Sequence, residues 1–562
     1  MRLTLGMTVA GFPVHTPRRG NLTIQKHAMI GFTVVTENAK HCGTGAPIQR
    51  DRIKRVPVSR MAEAFTALPT GIPFSCSPDC RWQGVFAMYK PINEQSKDLI
   101  GEQDMLSRSA LDAALRAYAE QPQFRSATGD EVIFDNPFHR PVRAQDLSFL
   151  DFSRPVDQDH VHALCSLMGN RMLFNIYEAD LSFVGESLSQ QAHTDRAAFY
   201  STANRVLGER VRGALERHCF AWIDDALHDT DEEPASLIER SLAEFENSAS
   251  AVAHTIEGSA SSTRMAQLLA IQICGPLRAR DFARQRYVVA GLDGHWNEWI
   301  AAAAGVVPAW RRAYPALANA AQLSTTPHAY WQFYLGSQLA VANYLARTLR
   351  APSRFFEAAG AIVADRLCSL QLARCWREVF VSAFGSDMFW SSDEQGGGSD
   401  ALCSEALKLL EKTPGAEQAE CLNAFKRGLQ GMCRVWVAAN EDLGRQIAWA
   451  GHPAEHRALA EDYMRIIRDR ALAVAMETYV EPSSERSTTH VHDTDRLLVI
   501  ESGEMDFWHS YGQPLHFEPG DMIFVPKHRL HGSVVTTDQC VYHQPIVDAK
   551  LRELVDRLRS TH

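Results

Sequence analysis

Apolar positions recur three and four residues apart from about residue 105 to about residue 475, the spacing of one helix face. The first such face is Ala110, Leu111, Ala114, Leu115 and Tyr118, in a helix that starts near Met105 with Ser107 or Ser109 as its cap. A long amphipathic pattern follows over 187–227, and the polar stretch 228–236 breaks it. Further helical patterns occupy 235–256, 263–273, 329–349, 355–380 and 455–480, with a Gly-rich break at 393–400. Beyond about 480 the pattern changes to short apolar runs separated by turn residues, which predicts strands. Ser502-Gly503 and Glu518-Pro519-Gly520-Asp521 read as turns, and Met522–Val525 as a compact strand. The expected organisation is multidomain α + β. An extension spans 1–104, and a helical domain that packs on a neighbour or a second copy spans 105–230. A helical bundle spans 235–475, a β-domain 480–548 and a C-terminal helix 549–562.

A chain of 562 residues is too long for a single core, and 45% hydrophobic content is ordinary for a soluble protein. The net charge of −10 disfavours a nucleic-acid partner, and no apolar run is long enough to cross a membrane. The first residues make a poor secretion signal, and the twelve cysteines contain no C-x-x-C pair, so reduced thiols and a cytoplasmic location are expected. Residues 1–104 differ from the rest in carrying 13 basic against 8 acidic residues. They read as a poorly ordered extension, or as translated sequence upstream of a start at Met105. Cys42, Cys76 and Cys80 with His41 fit no zinc template.

Candidate chemistry concentrates between Thr488 and His531. His490 and His492, two apart on a strand, point to one face. His531, after a returning strand, can close a three-histidine site, and neutral imidazoles suit iron, zinc, copper or nickel. The layout resembles the two cupin motifs, the first written His-x-His, three or four residues, Glu, six residues, Gly. His490, His492 and Gly503 keep their places, and Arg496 stands at the Glu. In the second motif Gly520, Pro526 and His531 keep theirs, and His528 replaces a Gly. The resemblance implies a C-terminal cupin β-barrel with metal ligands His490, His492 and His531.

The bundle resembles the haem-oxygenase-like fold of a family of di-iron oxidases in 265–277, 291–319 and 334–344. Gly275 falls where that family has a metal-binding Glu, and Gln338 or a neighbour falls where it has another ligand. The family's His-x-x-x-Asp-x-x-His helix has no counterpart, since 355–371 carries Glu357 and Asp365 but no histidine. The bundle is therefore expected to lack di-iron ligands; a rearranged set from His254, Glu257, His295, Glu298 and His328 is the alternative.

The combination of helical domain, haem-oxygenase-like bundle and three-histidine cupin resembles the N-nitrosourea-forming enzymes of the streptozotocin type. The resemblance covers about 105–548, including the 41-residue spacing from His490 to His531. It implies a non-haem Fe(II) enzyme with O2 as co-substrate. Its reaction would be an oxidative rearrangement with N–N bond formation on an N-hydroxylated, arginine-derived guanidine, giving an N-nitroso or diazeniumdiolate product. A separate guanidine N-hydroxylase would supply the substrate, and a homodimer is expected. Arg496, Tyr511 and His509 are candidate catalytic residues, with Asp495 and Tyr542 behind them. Arg496 is expected to point inward and grip a substrate carboxylate, unless it pairs with Asp495 or Glu518. Another cupin dioxygenase, an isomerase or a non-catalytic cupin sensor remain open readings.

Overall fold

The computed structural model describes residues 3–6, 33–36, 108–121, 144–179, 196–259, 261–285, 294–305, 315–324, 329–385, 398–413, 415–483, 486–511 and 514–560. The chain divides into two units, 1–103 and 104–562. In the first, strands β1 (Leu3–Gly6) and β2 (Thr33–Thr36) pair antiparallel, with Leu3 opposite Thr36. The rest of the expected extension, with His41, Cys42, Cys76 and Cys80, lies outside the described residues.

The second unit opens with α1 (Arg108–Ala119), which buries Leu115 and Tyr118 as their spacing predicts. Helices α2 (Leu164–Ala179), α3 (Thr202–Asp224), α4 (Pro234–Glu257), α5 (Ser262–Gln285) and α6 (Gly294–Gly305) follow. Then come α7 (Gly336–Arg350), α8 (Phe355–Phe384), α9 (Gly398–Glu411), α10 (Gly415–Ala450) and α11 (Pro453–Asp469). The 187–227 pattern is not one helix through its described part. Ser201 accepts from the Asn204 amide at 3.2 Å and starts α3 anew, because a short hydroxyl side chain satisfies a first-turn amide. The polar break at 228–236 falls between α3 and α4, yet one hydrophobic core runs through both sides of it.

Helix α10, 36 residues, is the spine of the bundle. It meets α8 backbone to backbone: a Cβ on Gly428 would lie 1.8 Å from the Glu357 carbonyl oxygen, and one on Gly360 1.9 Å from that of Phe425. No side chain larger than hydrogen fits at either crossing.

The pattern at 455–480 predicts one helix, but α11 stops at Asp469, Ala471 takes a left-handed φ of 47°, and Met476–Pro482 is strand β3. Its Thr-Tyr-Val centre suits a strand, and pairing with strand β10 (Gln539–Val547) outweighs any local helical tendency. The strands form two four-stranded sheets. One has the order β3-β10-β5-β8, with β5 at Asp495–Ser502, β8 at Met522–Val525 and β10 at Gln539–Val547. The other is β4-β9-β6-β7, with β4 at Arg486–His490, β6 at Met505–Trp508, β7 at Leu515–Phe517 and β9 at His531–Val535. Gly503 at φ +78° makes the β5–β6 turn, where a Cβ would meet the Gln539 carbonyl oxygen at 2.1 Å.

Alternation along the strands sorts their side chains onto different surfaces. Leu498, Ile500, Phe507, Ile523 and Tyr542 fill the space between the sheets. Leu497, Phe524 and Val547 face outward, onto Tyr463 and Ile466 of α11 and onto Leu551 and Val555 of α12 (Ala549–Arg559). Burying Leu551 and Val555 contributes about 1.5–3 kcal/mol each and fastens α12 to the sheet. Val491, Trp508 and Leu530 join the core of the bundle, so the second sheet is seated on the helices.

Candidate metal centre

Strand β4 ends at His490, which pairs in register with His531 at the start of β9. His492 lies just beyond the strand, and the Val491 side chain between the two histidines turns to the bundle core. The ligand-capable atoms of His490, His492 and His531 all lie within 4.8 Å of one another, and the rings are 4.7–5.0 Å apart between centroids. At that separation the three imidazoles could hold one ion between them. The donor set fits an ion, because imidazoles facing each other satisfy one another poorly whereas a cation takes a lone pair from each. Nδ1 of His531 lies 2.7 Å from the Arg529 carbonyl oxygen. That oxygen only accepts, so Nδ1 carries the proton and Nε2 keeps the lone pair. Among the described residues no other group of three or more His, Cys, Asp or Glu comes together in this way.

Residues 476–542 match the family described as the cupin domain. The chain is also 28% identical over 451 residues to the nitrosourea synthase of Streptomyces achromogenes subsp. streptozoticus, across 78% of this chain and 95% of that protein. This chain is a relative of that nitrosourea synthase. The relationship implies an enzyme, and its cupin domain with the three-histidine group implies a bound metal. No helix among the described residues is long and apolar enough to cross a membrane.

The other sequence-named residues take varied positions around the cupin. His509 follows β6 and is buried; neither ring nitrogen has a hydrogen-bond partner. Burial, then the neighbouring His456 and His531, push it down to about 4, so it is neutral near pH 7. Arg496 shares the inward parity of Leu498 and Ile500, but its guanidinium is engaged. It pairs with Glu477 on β3 and donates to Gln544 Oε1 at 2.9 Å. The partners weighed from the sequence, Asp495 and Glu518, are not those it takes, and a substrate carboxylate would have to displace Glu477. Asp495 instead accepts from the Lys527 amide at 2.7 Å and pairs with Arg552 of α12. Tyr511 packs edge-on against Tyr330 and Phe333, 4.7 and 5.9 Å between centroids, facing the bundle. The Tyr542 hydroxyl donates to Glu481 at 2.8 Å. Of the aromatic pair on β6, Phe507 is the inward one and stacks on His531 at 5.6 Å, while Trp508 turns to the bundle.

His528 stands at the motif's Gly with φ +62°, a left-handed conformation that a non-glycine residue adopts at a cost of about 1 kcal/mol or more. Its amide donates to the His492 carbonyl at 2.7 Å, so the turn geometry that calls for Gly elsewhere is retained.

The bundle positions singled out for di-iron ligands do not converge. Gln338 donates to the Ala439 carbonyl at 3.1 Å, Asp365 accepts from the Trp436 indole at 3.1 Å, and Glu357 pairs with Arg354. The side chain of Gly275's segment and His328 lie outside the described residues. His254 with Glu257, and His295 with Glu298, form two exposed pairs at 3.4 and 3.8 Å, each within one helix turn, and these four described members of the rearranged set are not brought together.

What the sequence reading missed is helix α10. Asp442, Gln446 and Trp449 lie on its buried face and touch the cupin beside the histidines. The available signal was two polar residues, four apart, on an otherwise apolar helical stripe.

Proposed function

We propose that this protein is a non-haem iron, O2-dependent cupin enzyme. Its reaction is an oxidative rearrangement that forms an N–N bond on an N-hydroxylated, arginine-like guanidine. The observation that carries the reading is the convergence of His490, His492 and His531 in a chain similar to a nitrosourea synthase across 95% of that protein and 78% of its own length. Iron at these histidines supplies a redox centre with coordination positions for O2 and a chelating substrate.

The chain's own residues prepare that place. The Arg529 carbonyl fixes the His531 tautomer, and His490 and His531 are buried. Neutral His509 adds no competing charge beside the ligands. Among the described residues no carboxylate or thiol joins the three histidines, so an ion held there would keep its full charge for a substrate that binds as an anion. His509, Tyr511 and Arg496 are proposed as the residues around the substrate, Arg496 after exchanging Glu477 for the substrate carboxylate.

The bundle is read as having lost its own metals. The hydroxylated guanidine then comes from a separate N-hydroxylase, and the protein works in the cytoplasm as a homodimer. The test is metal content per chain after anaerobic reconstitution with Fe(II), followed by O2 uptake with N-hydroxyarginine-type guanidines. One iron per chain and guanidine-dependent O2 uptake are expected. Three irons per chain overturn the loss of the bundle metals, and no O2 uptake with any such guanidine overturns the reaction.

A further inference from the structure

The geometry points to a metal centre built in two parts: the cupin supplies three histidines, and helix α10 supplies Asp442, Gln446 and Trp449 as positioning residues for His531. The inference rests on the metal reading above and adds residues that lie outside both cupin motifs.

The three residues follow at i, i+4 and i+7, so they form one stripe of α10. All three are buried, at 3%, 1% and 2% exposure. An acid and an amide on a buried stripe are destabilising unless their polar atoms are used. Asp442 Oδ2 accepts from the Ser337 hydroxyl at 2.7 Å within the bundle, and the other contacts of the pair go to the cupin, mostly to the segment leading into His531. Asp442 Oδ1 accepts from Arg529 Nη2 at 2.8 Å, and its carbonyl accepts from Nη1 at 3.0 Å. Gln446 Oε1 accepts from the Leu530 amide at 2.8 Å, while its Nε2 donates to the carbonyls of Leu530 at 3.0 Å and His509 at 2.8 Å. The Trp449 ring stands edge-on to His531, 6.2 Å between centroids, and its indole donates to Phe524 O at 3.3 Å.

The consequence reaches the imidazole through the backbone. Arg529 and Leu530 are the two residues before His531, and each is held by a different residue of α10. The Arg529 carbonyl held in this way is the acceptor for His531 Nδ1. Helix α10 thus fixes the tautomer, and with Trp449 the ring plane, of a ligand that belongs to another part of the fold. Stability alone gives no reason for the arrangement, since a buried ion pair such as Asp442–Arg529 is often no better than an apolar pair of the same shape. The His490 side is held by the same device: Arg171 of α2 donates to the Thr489 carbonyl at 2.7 Å, and Gln332 accepts from the Thr489 amide at 3.0 Å.

The test is Co(II) binding to the full apoprotein, followed by its visible absorption, in wild type, Gln446→Met, Gln446→Glu and Trp376→Phe. Trp376→Phe is the stability control: it removes a buried indole donor, bonded to Ala249 O at 2.8 Å, within the bundle. The expected result is Co(II) affinity roughly ten- to a hundredfold weaker in Gln446→Met, with an altered spectrum. Gln446→Glu, which keeps an acceptor for the Leu530 amide, loses less, and Trp376→Phe binds as wild type. Gln446→Met with wild-type affinity and spectrum overturns the proposal, as does an equal loss in Trp376→Phe. Wild type that takes up no Co(II) overturns the metal reading together with this one. If both Gln446 variants fail to fold, imidazole 15N shifts of the wild-type apoprotein decide. His531 as the Nδ1–H tautomer supports the proposal, and the Nε2–H tautomer overturns it.

Discussion

The bundle and the cupin both bury polar side chains, and they use them in opposite ways. In the bundle the polar side chains at the compared positions meet complements: the Gln338 amide a carbonyl and Asp365 an indole on a neighbouring helix, and Glu357 the guanidinium of Arg354 three residues before it. Such pairs are complete without a ligand. In the cupin three side chains of one kind face each other, and a hydrogen bond to the Arg529 carbonyl orients His531 without using its Nε2. Burial of polar groups therefore does not by itself mark a metal site. What marks one is convergence of like donors whose outer atoms are held.

The sharpest way to break this contrast is at the histidines. His490→Ala or His531→Ala is expected to abolish metal uptake, read by metal analysis, while helical circular dichroism is unchanged. Full metal uptake in either variant would place the ion elsewhere.

Next in size is the helix crossing. Gly428→Leu puts a side chain where even a Cβ meets the Glu357 carbonyl at 1.8 Å, so it should destabilise by about 3 kcal/mol or more. Thermal unfolding would show a drop of several degrees, and an unchanged midpoint would mean that α8 and α10 are not in contact there.

A smaller effect belongs to His456 of α11, stacked on Phe524 and pushed by burial down to about 4. Its folded-state value lies below the unfolded one, so the unfolded chain takes up the proton first. The stability it contributes is complete above about pH 6.5 and is lost as pH falls towards 4. His456→Phe should flatten the acid limb of a stability–pH curve, and an equally steep limb in the variant would remove His456 from the account.

The smallest expected change is none. Glu357→Gln with Asp365→Asn should leave the metal stoichiometry as it was, whatever they do to stability. Loss of metal in that variant would make the bundle a metal site after all.

The cupin site was legible because its signals are local. His490 and His492 share a strand, and Gly503 and Gly520 each occupy a turn with positive φ. His531 follows a short apolar strand within the same motif span. Helix faces were legible where periodicity ran long, as in α4 and α8. It failed at 476–480, where five residues are too few to tell a helix end from a strand and pairing with β10 decided.

By itself, then, the amino-acid sequence determined the α-then-β order, the inward histidines and the lack of a His-x-x-x-Asp-x-x-His helix. Each of these depends on residues close together in the chain. Only the tertiary structure decided that Arg496 pairs with Glu477, that His254, Glu257, His295 and Glu298 stay as two separate pairs, and that Gln446 holds Leu530 across 84 residues. Such contacts arise when two elements dock. A hydrogen bond between distant residues leaves no periodic trace in either segment, because the backbone of one partner can be offered by any residue type.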